Sequence, residues 1–391
     1  MPAVSLSDEW NASFERIPEF PNLRNVSMCF DRHVDRWTNV DRRDRVFDDI
    51  YSRQAEMNSL MDMFLRCNAG VQELGLRCFT EFDNDAVYRL MEEPSEKDTK
   101  REQMLSGLKS LRMGIVHEQH HPERGYDLKG GSNQLFWERY PSRWLLPATN
   151  TLRHLTLYSN LVVGWFPKLE LRNIHFPHLE SLALGQFMFS HDWQFNWILS
   201  HSGTLKHLYL DRCSILYQIG HANSRWLDPE GYPVVGRGYP RWGHSRLMDE
   251  TGFDETLKFI NYETRWHDVF TRFSASLTHI TMFRFGSSSG WNFETHNRYW
   301  GHVGMPIQPW EQESEISNLV FDQMYLLYND WSYEYMTRWS DDDGLKRWER
   351  FWCNSMQDPP ECFDKDRAAL QALLRKLGLP CITRNDSETE S

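Results

Sequence analysis

Three histidines of this chain, His154, His207 and His279, occupy one position of a recurring hydrophobic phrase. Imidazoles repeated in one structural position could act as metal ligands or as a polar recognition row. A metal needs donor atoms converging at about 2 Å, and Ser181 takes that position between the first two histidines. Parallel strands lie about 4.8 Å apart, so histidines on alternate strands stand too far apart to chelate one ion. The row reads as surface, and no metal or cofactor is expected.

Glycoside hydrolysis requires two acids flanking an aromatic sugar cleft. Glu334 stands among Trp331, Tyr333 and Tyr335, and Asp341, Asp342 and Asp343 follow Trp339. Adjacent acids on a turn are usually only solvated, so a carbohydrate-active hydrolase is the remote alternative. His120, His121 and Glu118 do not make the H-E-x-x-H helix of a metalloprotease. The chain has no P-loop, no G-x-G-x-x-G and no G-x-S-x-G. No residue is nominated as a nucleophile, and the expectation is a non-catalytic protein.

The elements that position these residues come from the phrase itself, L-x-x-L-x-L with Leu, Val, Ile or Met in the apolar slots. It occurs at Leu23-Val26-Met28, Val71-Leu74-Leu76, Leu108-Leu111-Met113, Leu152-Leu155-Leu157, Leu179-Leu182-Leu184, Leu205-Leu208-Leu210 and Leu277-Ile280-Met282. This is the strand phrase of leucine-rich repeats. Its fourth and sixth residues point into the core, because strand side chains alternate with period two, and the residues between and after them point outward. That rule assigns His154, Thr156 and Tyr158, then His207, Tyr209 and Asp211, then His279, Thr281 and Phe283 to a concave binding face. Ser181, Ala183 and Gly185 join them, with Glu73, Arg77, Ser110 and Arg112 from earlier strands. The expected fold is α/β: an irregular leucine-rich-repeat solenoid with parallel strands on the concave face, helices and loops on the convex face, and long insertions.

The strands starting at 152, 179 and 205 give intervals of 27 and 26, within the range of about 20–29 usual for such repeats. The other intervals are longer and uneven. Residues 1–20 form an N-terminal extension, 21–300 the solenoid with an insertion at about 216–276, 301–384 an aromatic and helical cap, and 385–391 a disordered tail. Helices are expected over 41–69, around 85–91, after an N-cap at Ser190, over 255–273 and over 366–377, the last ended by Gly378 and Pro380. Residues 92–102 read as a solvated turn or helix face and 117–134 as a polar loop. Residues 310–357 resist assignment. Cys213 occupies the slot in which the repeat consensus places Asn or Cys to satisfy backbone groups at the turn.

The bulk numbers narrow the partners. The net charge is −12 and basic residues come only in short clusters interleaved with acid, such as Arg42-Arg43-Asp44-Arg45, so neither nucleic acid nor an anionic membrane is the expected partner. The 17 Trp, 23 Phe and 15 Tyr are an unusual aromatic load, for which packing is the commonest use. Seven cysteines without a C-x-x-C, no secretory pattern at the N-terminus and no apolar run of about 20 residues predict a cytoplasmic or nuclear, reduced, soluble protein.

Several stretches resemble a large group of fungal F-box proteins with degenerate leucine-rich repeats. They are Thr151–Tyr158 (TLRHLTLY), Pro167–Arg172 (PKLELR), Phe176–Leu179 (FPHL), Leu182–Gly185 (LALG), Ser190–Trp193 (SHDW), Trp197–His201 (WILSH), Leu208–Asp211 (LYLD) and Asp366–Leu374 (DRAALQALL). The resemblance is strong over about 145–215 and colinear from about 20 to 380. It implies the substrate-recognition part of an SCF-type ubiquitin ligase receptor, holding a protein target on its repeats while an F-box docks the Skp adaptor and its cullin complex. An F-box is a helical module of about 40–50 residues, and only about 20 residues precede the first strand here. Ile17-Pro18-Glu19 is the one echo of its opening phrase. An F-box upstream would bring the adaptor; without one the arc is a scaffold or adaptor with no ubiquitin role.

Overall fold

The structure is a computed structural model describing residues 12, 15–20, 22–29, 59–66, 70–80, 96–116, 120–121, 125–126, 131–221, 227–233, 258–286, 324–329, 334–336 and 360–380. In chain order its elements are β1 (Asn25–Cys29), β2 (Glu73–Thr80), α1 (Glu96–Ser106), β3 (Ser110–Val116), β4 (His120–His121), β5 (Gly125–Tyr126) and α2 (Gly131–Tyr140). Then come β6 (His154–Val163), β7 (Ser181–Phe189), α3 (Asp192–Leu199), β8 (His207–Asp211) and β9 (Ser214–His221). The chain continues through β10 (Lys258–Asn261), α4 (Trp266–Ser276), β11 (Met282–Gly286), β12 (Tyr325–Asn329), β13 (Glu334–Met336) and α5 (Phe363–Lys376).

The protein is an α/β molecule with an open, mostly parallel sheet. Strands β1, β2, β3, β6, β7, β8 and β11 run parallel in that order across it. One backbone device recurs at each step. The carbonyls of Arg24, Gln72, Lys109, Arg153, Glu180 and Lys206 each accept two successive N–H groups from the next strand, at 72/73, 109/110, 153/154, 180/181, 206/207 and 281/282. The leucines of the phrase then fall in line: Leu74, Leu111, Leu155, Leu182 and Leu208 are register partners and all are buried.

The last step corrects the sequence reading. Met282, not His279, pairs with His207, and Phe283 and Phe285 pair with Leu208 and Leu210. The seventh phrase is therefore Ile280-Phe283-Phe285, three residues beyond the one read from Leu277. Its two phenylalanines complete an aromatic core with α4. Phe283 lies 6.3 Å from Phe270 and 6.4 Å from Phe273, and Phe285 lies 4.5 Å from Trp266 and 5.0 Å from Phe270. Rings of this size bury more apolar area than Met282 could in the same slot, and that decides the register.

At β7 the sheet divides. Ser181–Gly185 pair with β8, and after Gln186, whose φ is +53°, Met188 and Phe189 pair with β9. Arg212, at φ +50°, makes the matching turn between β8 and β9. Cys213 sits at that turn fully buried, and its Sγ–H donates to the Leu184 carbonyl at 3.3 Å, the backbone-satisfying role expected of that slot. The second branch adds β12 parallel to β9, β13 antiparallel to β12, and β10 antiparallel to β9. Residues 216–221, read as the start of a loop-like insertion, are thus a core strand. Within 255–273, Lys258–Asn261 form a strand and the helix begins only at Trp266.

Two apolar cores follow from the division. The larger packs one sheet face against α1, α2, α3, α4 and α5, with Trp137, Trp144, Trp197 and Trp266 inside it. The smaller gathers Trp165, Phe166, Met188, Leu216, Ile219, Tyr232 and Leu326 on the second branch. These tryptophans are packing residues, as their number had suggested. Charged residues 96–102 open α1, the helical alternative of the reading for 92–102, and 117–134 contain the antiparallel pair β4 and β5 and the start of α2. Helix α3 is capped one residue later than expected: His191 is the N-cap, and Gln194 Oε1 accepts the backbone N–H groups of Ser190 and His191 at 2.7 and 3.0 Å. The C-terminal helix matches the sequence reading closely, with Gly378 beyond it at φ +66°. Of the helix expected over 41–69 only 59–66 is described, and it is helical. The helix expected at 85–91, Asp341–Asp343 and the tail lie outside the described residues. Among the described residues no helix is long and apolar enough to cross a membrane.

Candidate functional site

The strand pairing lays the outward residues of the sheet into rows. The first row runs Asn25, Glu73, Ser110, His154, Ser181, His207, Met282, and the second Ser27, Gly75, Arg112, Thr156, Ala183, Tyr209, Arg284. The third joins Gly114, Tyr158, Gly185, Asp211 and Gly286, with Cys29 paired to Arg77 before a register shift in β2 interrupts it. Among the described residues this face carries no helix, and its own apolar patch (Tyr158 and Ala183, with Tyr209 packed against them) is separate from both cores.

The sequence-nominated residues divide into three groups. His154, His207, Tyr209, Arg77 and Arg112 stand half-buried on the face. Thr156, Tyr158 and Asp211 point to the same side but are buried, Tyr158 with 1% of its surface exposed, so they form the floor and offer no contact surface. The pattern of alternation gives only the side of the sheet; it does not say what lies over that side. His279 and Phe283 are corrections of a different kind. His279 lies in the turn after α4 and is exposed, while Phe283 points into the main core. Met282 and Arg284 take their places, half-buried. Counting phenylalanine among the apolar slots would have found them.

The three histidines do not converge. Ser181 separates His154 from His207 in the row, and His279 is not in it. Burial lowers the pKa of both His154 and His207, reinforced by Arg112 beside the first and Lys206 beside the second. Both imidazoles are therefore neutral near pH 7 and act as hydrogen-bonding groups rather than charges. Arg112 Nε donates to Ser110 Oγ at 3.3 Å, fixing a guanidinium next to His154. The ring of His207 stands 6.4 Å from that of Tyr209 at a steep angle.

At the start of the strands Glu180 bridges Arg153 and Lys206, the residues on the two flanking strands; the Lys206 pair is 2.6 Å. The two cations hold the Glu180 carboxyl below its ordinary range. A second ionic group, Arg172 with Glu170 and Glu230 (2.6 and 2.7 Å), ties the 227–233 segment to the sheet. Trp193 Nε1 donates to the Tyr232 hydroxyl at 2.9 Å and Trp165 Nε1 to the Gly231 carbonyl at 2.9 Å in the same place.

The most recognisable stretches of the sequence carry the scaffold. Trp197 Nε1 donates to the Ile174 carbonyl at 2.6 Å, and His201 Nε2 accepts the Phe176 N–H at 3.2 Å, so the helix of Trp197–His201 clamps the Phe176–Leu179 turn. Comparison of the chain with protein-family models, with curated proteins and with solved structures gives no match.

Proposed function

We propose that the chain is a non-catalytic protein-binding subunit: an irregular leucine-rich-repeat solenoid whose sheet face opposite the helices takes a segment of a target protein. The observation that carries this reading is the backbone step repeated from Arg24 to Lys206, each carbonyl taking two N–H groups of the following strand. A step of that regularity sets equivalent residues side by side at strand spacing and produces an extended field of side chains, the geometry repeat proteins use for macromolecular ligands. The field mixes Arg77, Arg112, Arg284, His154, His207 and Tyr209. Arginine and tyrosine are the residues that most often dominate binding energy at protein interfaces. Among the described residues three arginines, Arg77, Arg112 and Arg284, share this face with one half-buried acid, Glu73, a balance that would suit an acidic target segment.

The resemblance to fungal F-box proteins extends this to a target receptor for a Skp-linked cullin ligase. One observation favours the scaffold reading instead. Ile17, in the segment that echoes an F-box opening, packs against the main core beside β1, so that segment is engaged with the repeats.

Affinity capture with the full chain and with a Tyr209→Ala/Arg284→Ala variant tests the face. A target lost from the variant, with the variant still folded and its melting temperature lowered by no more than a few degrees, supports the reading; identical captures overturn it. Recovery of the Skp adaptor with the wild-type chain assigns the ligase role, and a target recovered without it assigns the scaffold.

A further inference from the structure

Where α4 and α5 begin, side chains from three elements meet in the interior. Asp366, in the first turn of α5, is fully buried. Its Oδ1 accepts the backbone N–H of His267 at 2.8 Å and lies 2.7 Å from His267 Nδ1. Its Oδ2 accepts the Tyr325 hydroxyl at 2.7 Å and lies 3.3 Å from Cys362 Sγ. Cys362, just ahead of α5, is buried, whereas the His267 side chain keeps 27% of its surface open and gives a way in from solvent. The donor atoms of His267, Cys362 and Asp366 all lie within 4.8 Å of one another.

We propose that His267 Nδ1, Cys362 Sγ and the Asp366 carboxylate form a binding site for a borderline transition metal, Zn2+ or Co2+, with a water as fourth ligand. One nitrogen, one sulfur and one oxygen donor suit these ions and not Mg2+ or Ca2+, which take oxygen shells. The spacing fits a tetrahedral ion. With metal–sulfur near 2.3 Å and metal–oxygen near 2.0 Å, sulfur and oxygen stand about 3.5 Å apart; here Cys362 Sγ and Asp366 Oδ2 are 3.3 Å apart. The 2.7 Å contact of His267 Nδ1 is to the other carboxylate oxygen, Oδ1. With Oδ2 as the ligand the imidazole turns from Oδ1 toward the ion, which replaces that hydrogen bond, and the donor atoms of the three residues already lie within 4.8 Å of one another.

The surroundings already hold the carboxylate in place. The His267 N–H and the Tyr325 hydroxyl would remain bonded to Asp366 as supporting donors. Tyr325 oxygen is committed, accepting the Trp266 N–H at 2.9 Å while donating to Asp366, so it does not compete as a ligand. On binding, the Cys362 thiol proton leaves to solvent. The imidazole proton passes from Nδ1 to Nε2, which lies 3.7 Å from Asp268 Oδ1. One proton is released per ion, and the bound ion joins the first turns of α4 and α5.

Co2+ titration of the full chain, reduced and stripped of metal, tests the site. The expected result is a thiolate-to-cobalt charge-transfer absorption saturating at one ion per chain, reversed by Zn2+ and lost in Cys362→Ser and His267→Gln. No such band in the wild-type chain, or a band kept by folded variants, overturns the proposal. Should the variants not fold, zinc-edge X-ray absorption on the wild-type chain decides: one sulfur with nitrogen and oxygen neighbours supports the site, and a shell with no sulfur or several sulfurs overturns it.

Discussion

The ring of Tyr158 occupies the space that a side chain at Gly185 would need. A Cβ built at Gly185 would stand 2.6 Å from Tyr158 Cγ and nearer still to Cδ1 and Cε1, and the two residues are register partners on β6 and β7. The glycine is the reason a tyrosine at an outward position lies buried on its own sheet. The middle of the face is accordingly a built floor, and the accessible surface of the face belongs to the half-buried residues around it.

Gly185→Ala is therefore expected to destabilise the fold by about 1–3 kcal/mol through overpacking. Tyr158→Ala leaves a cavity and costs about 3 kcal/mol. Combined, the two should cost clearly less than their sum, since removing the ring removes the clash. Denaturant unfolding of the four proteins of the cycle checks this, and strict additivity would show that the ring does not lie there.

Tyr209, at the edge of the same patch, behaves differently. Tyr209→Ala should change stability by only about 1 kcal/mol, yet weaken capture of a protein target about tenfold or more, as truncation of an interface aromatic commonly does. Thermal melting and quantitative capture, run side by side, read the two effects.

His201 gives a pH dependence with a definite sign. Burial, helped by the neighbouring His175, pushes its pKa down from 6.5 to about 4. Its Nδ1 faces the Trp197 carbonyl at 2.9 Å while Nε2 accepts the Phe176 N–H, so the neutral ring fits and a second proton would remove that acceptor. As pH falls below 6.5 the unfolded chain takes up the proton first. Stability contributed by this group is thus complete above pH 6.5 and is lost as pH falls through about 4. The total is on the order of 3 kcal/mol. His154 and His207 are shifted in the same direction and add to the slope. Unfolding free energies measured from pH 7.5 to 4 in wild type and in His201→Gln should diverge most at neutral pH; parallel curves would remove His201 as the cause.

Asp366 caps a helix that is not its own. Helix α4 begins at Trp266 without a side-chain cap from its N-cap residue Arg265, and its first two N–H groups go to Tyr325 and Asp366. Asp366→Ala leaves buried donors unpaired and should cost about 3 kcal/mol or more in metal-free buffer. Tyr325→Phe, which removes one link, should cost about 1–2 kcal/mol. Chemical unfolding with a chelator present measures both, and an Asp366→Ala cost below that of Tyr325→Phe contradicts this account.

What could be read from the chain alone was set by period and polarity. The apolar slots at 74/76, 111/113, 155/157, 182/184 and 208/210 fix strands and their inward side because burial of alternate residues leaves one solution. The C-terminal helix, with its buried Leu370, Leu373 and Leu374 and its closing Gly378, was equally legible. The outward residues were not, since alternation names a side of the sheet and not its cover: Thr156, Tyr158 and Asp211 are buried there, while His154 and Tyr209 are half-exposed. Nor could the phrase find Ile280-Phe283-Phe285, because its apolar slots admitted Leu, Val, Ile and Met but not Phe, and with Phe admitted both Leu277-Ile280-Met282 and Ile280-Phe283-Phe285 satisfy it. Only the aromatic core of Trp266, Phe270 and Phe273 selects the second, and that core exists once α4 is folded against the sheet. The same holds for His267 and Asp366, 99 residues apart in the chain and joined by a 2.7 Å contact: local pattern specifies each helix, and tertiary packing alone brings their first turns together.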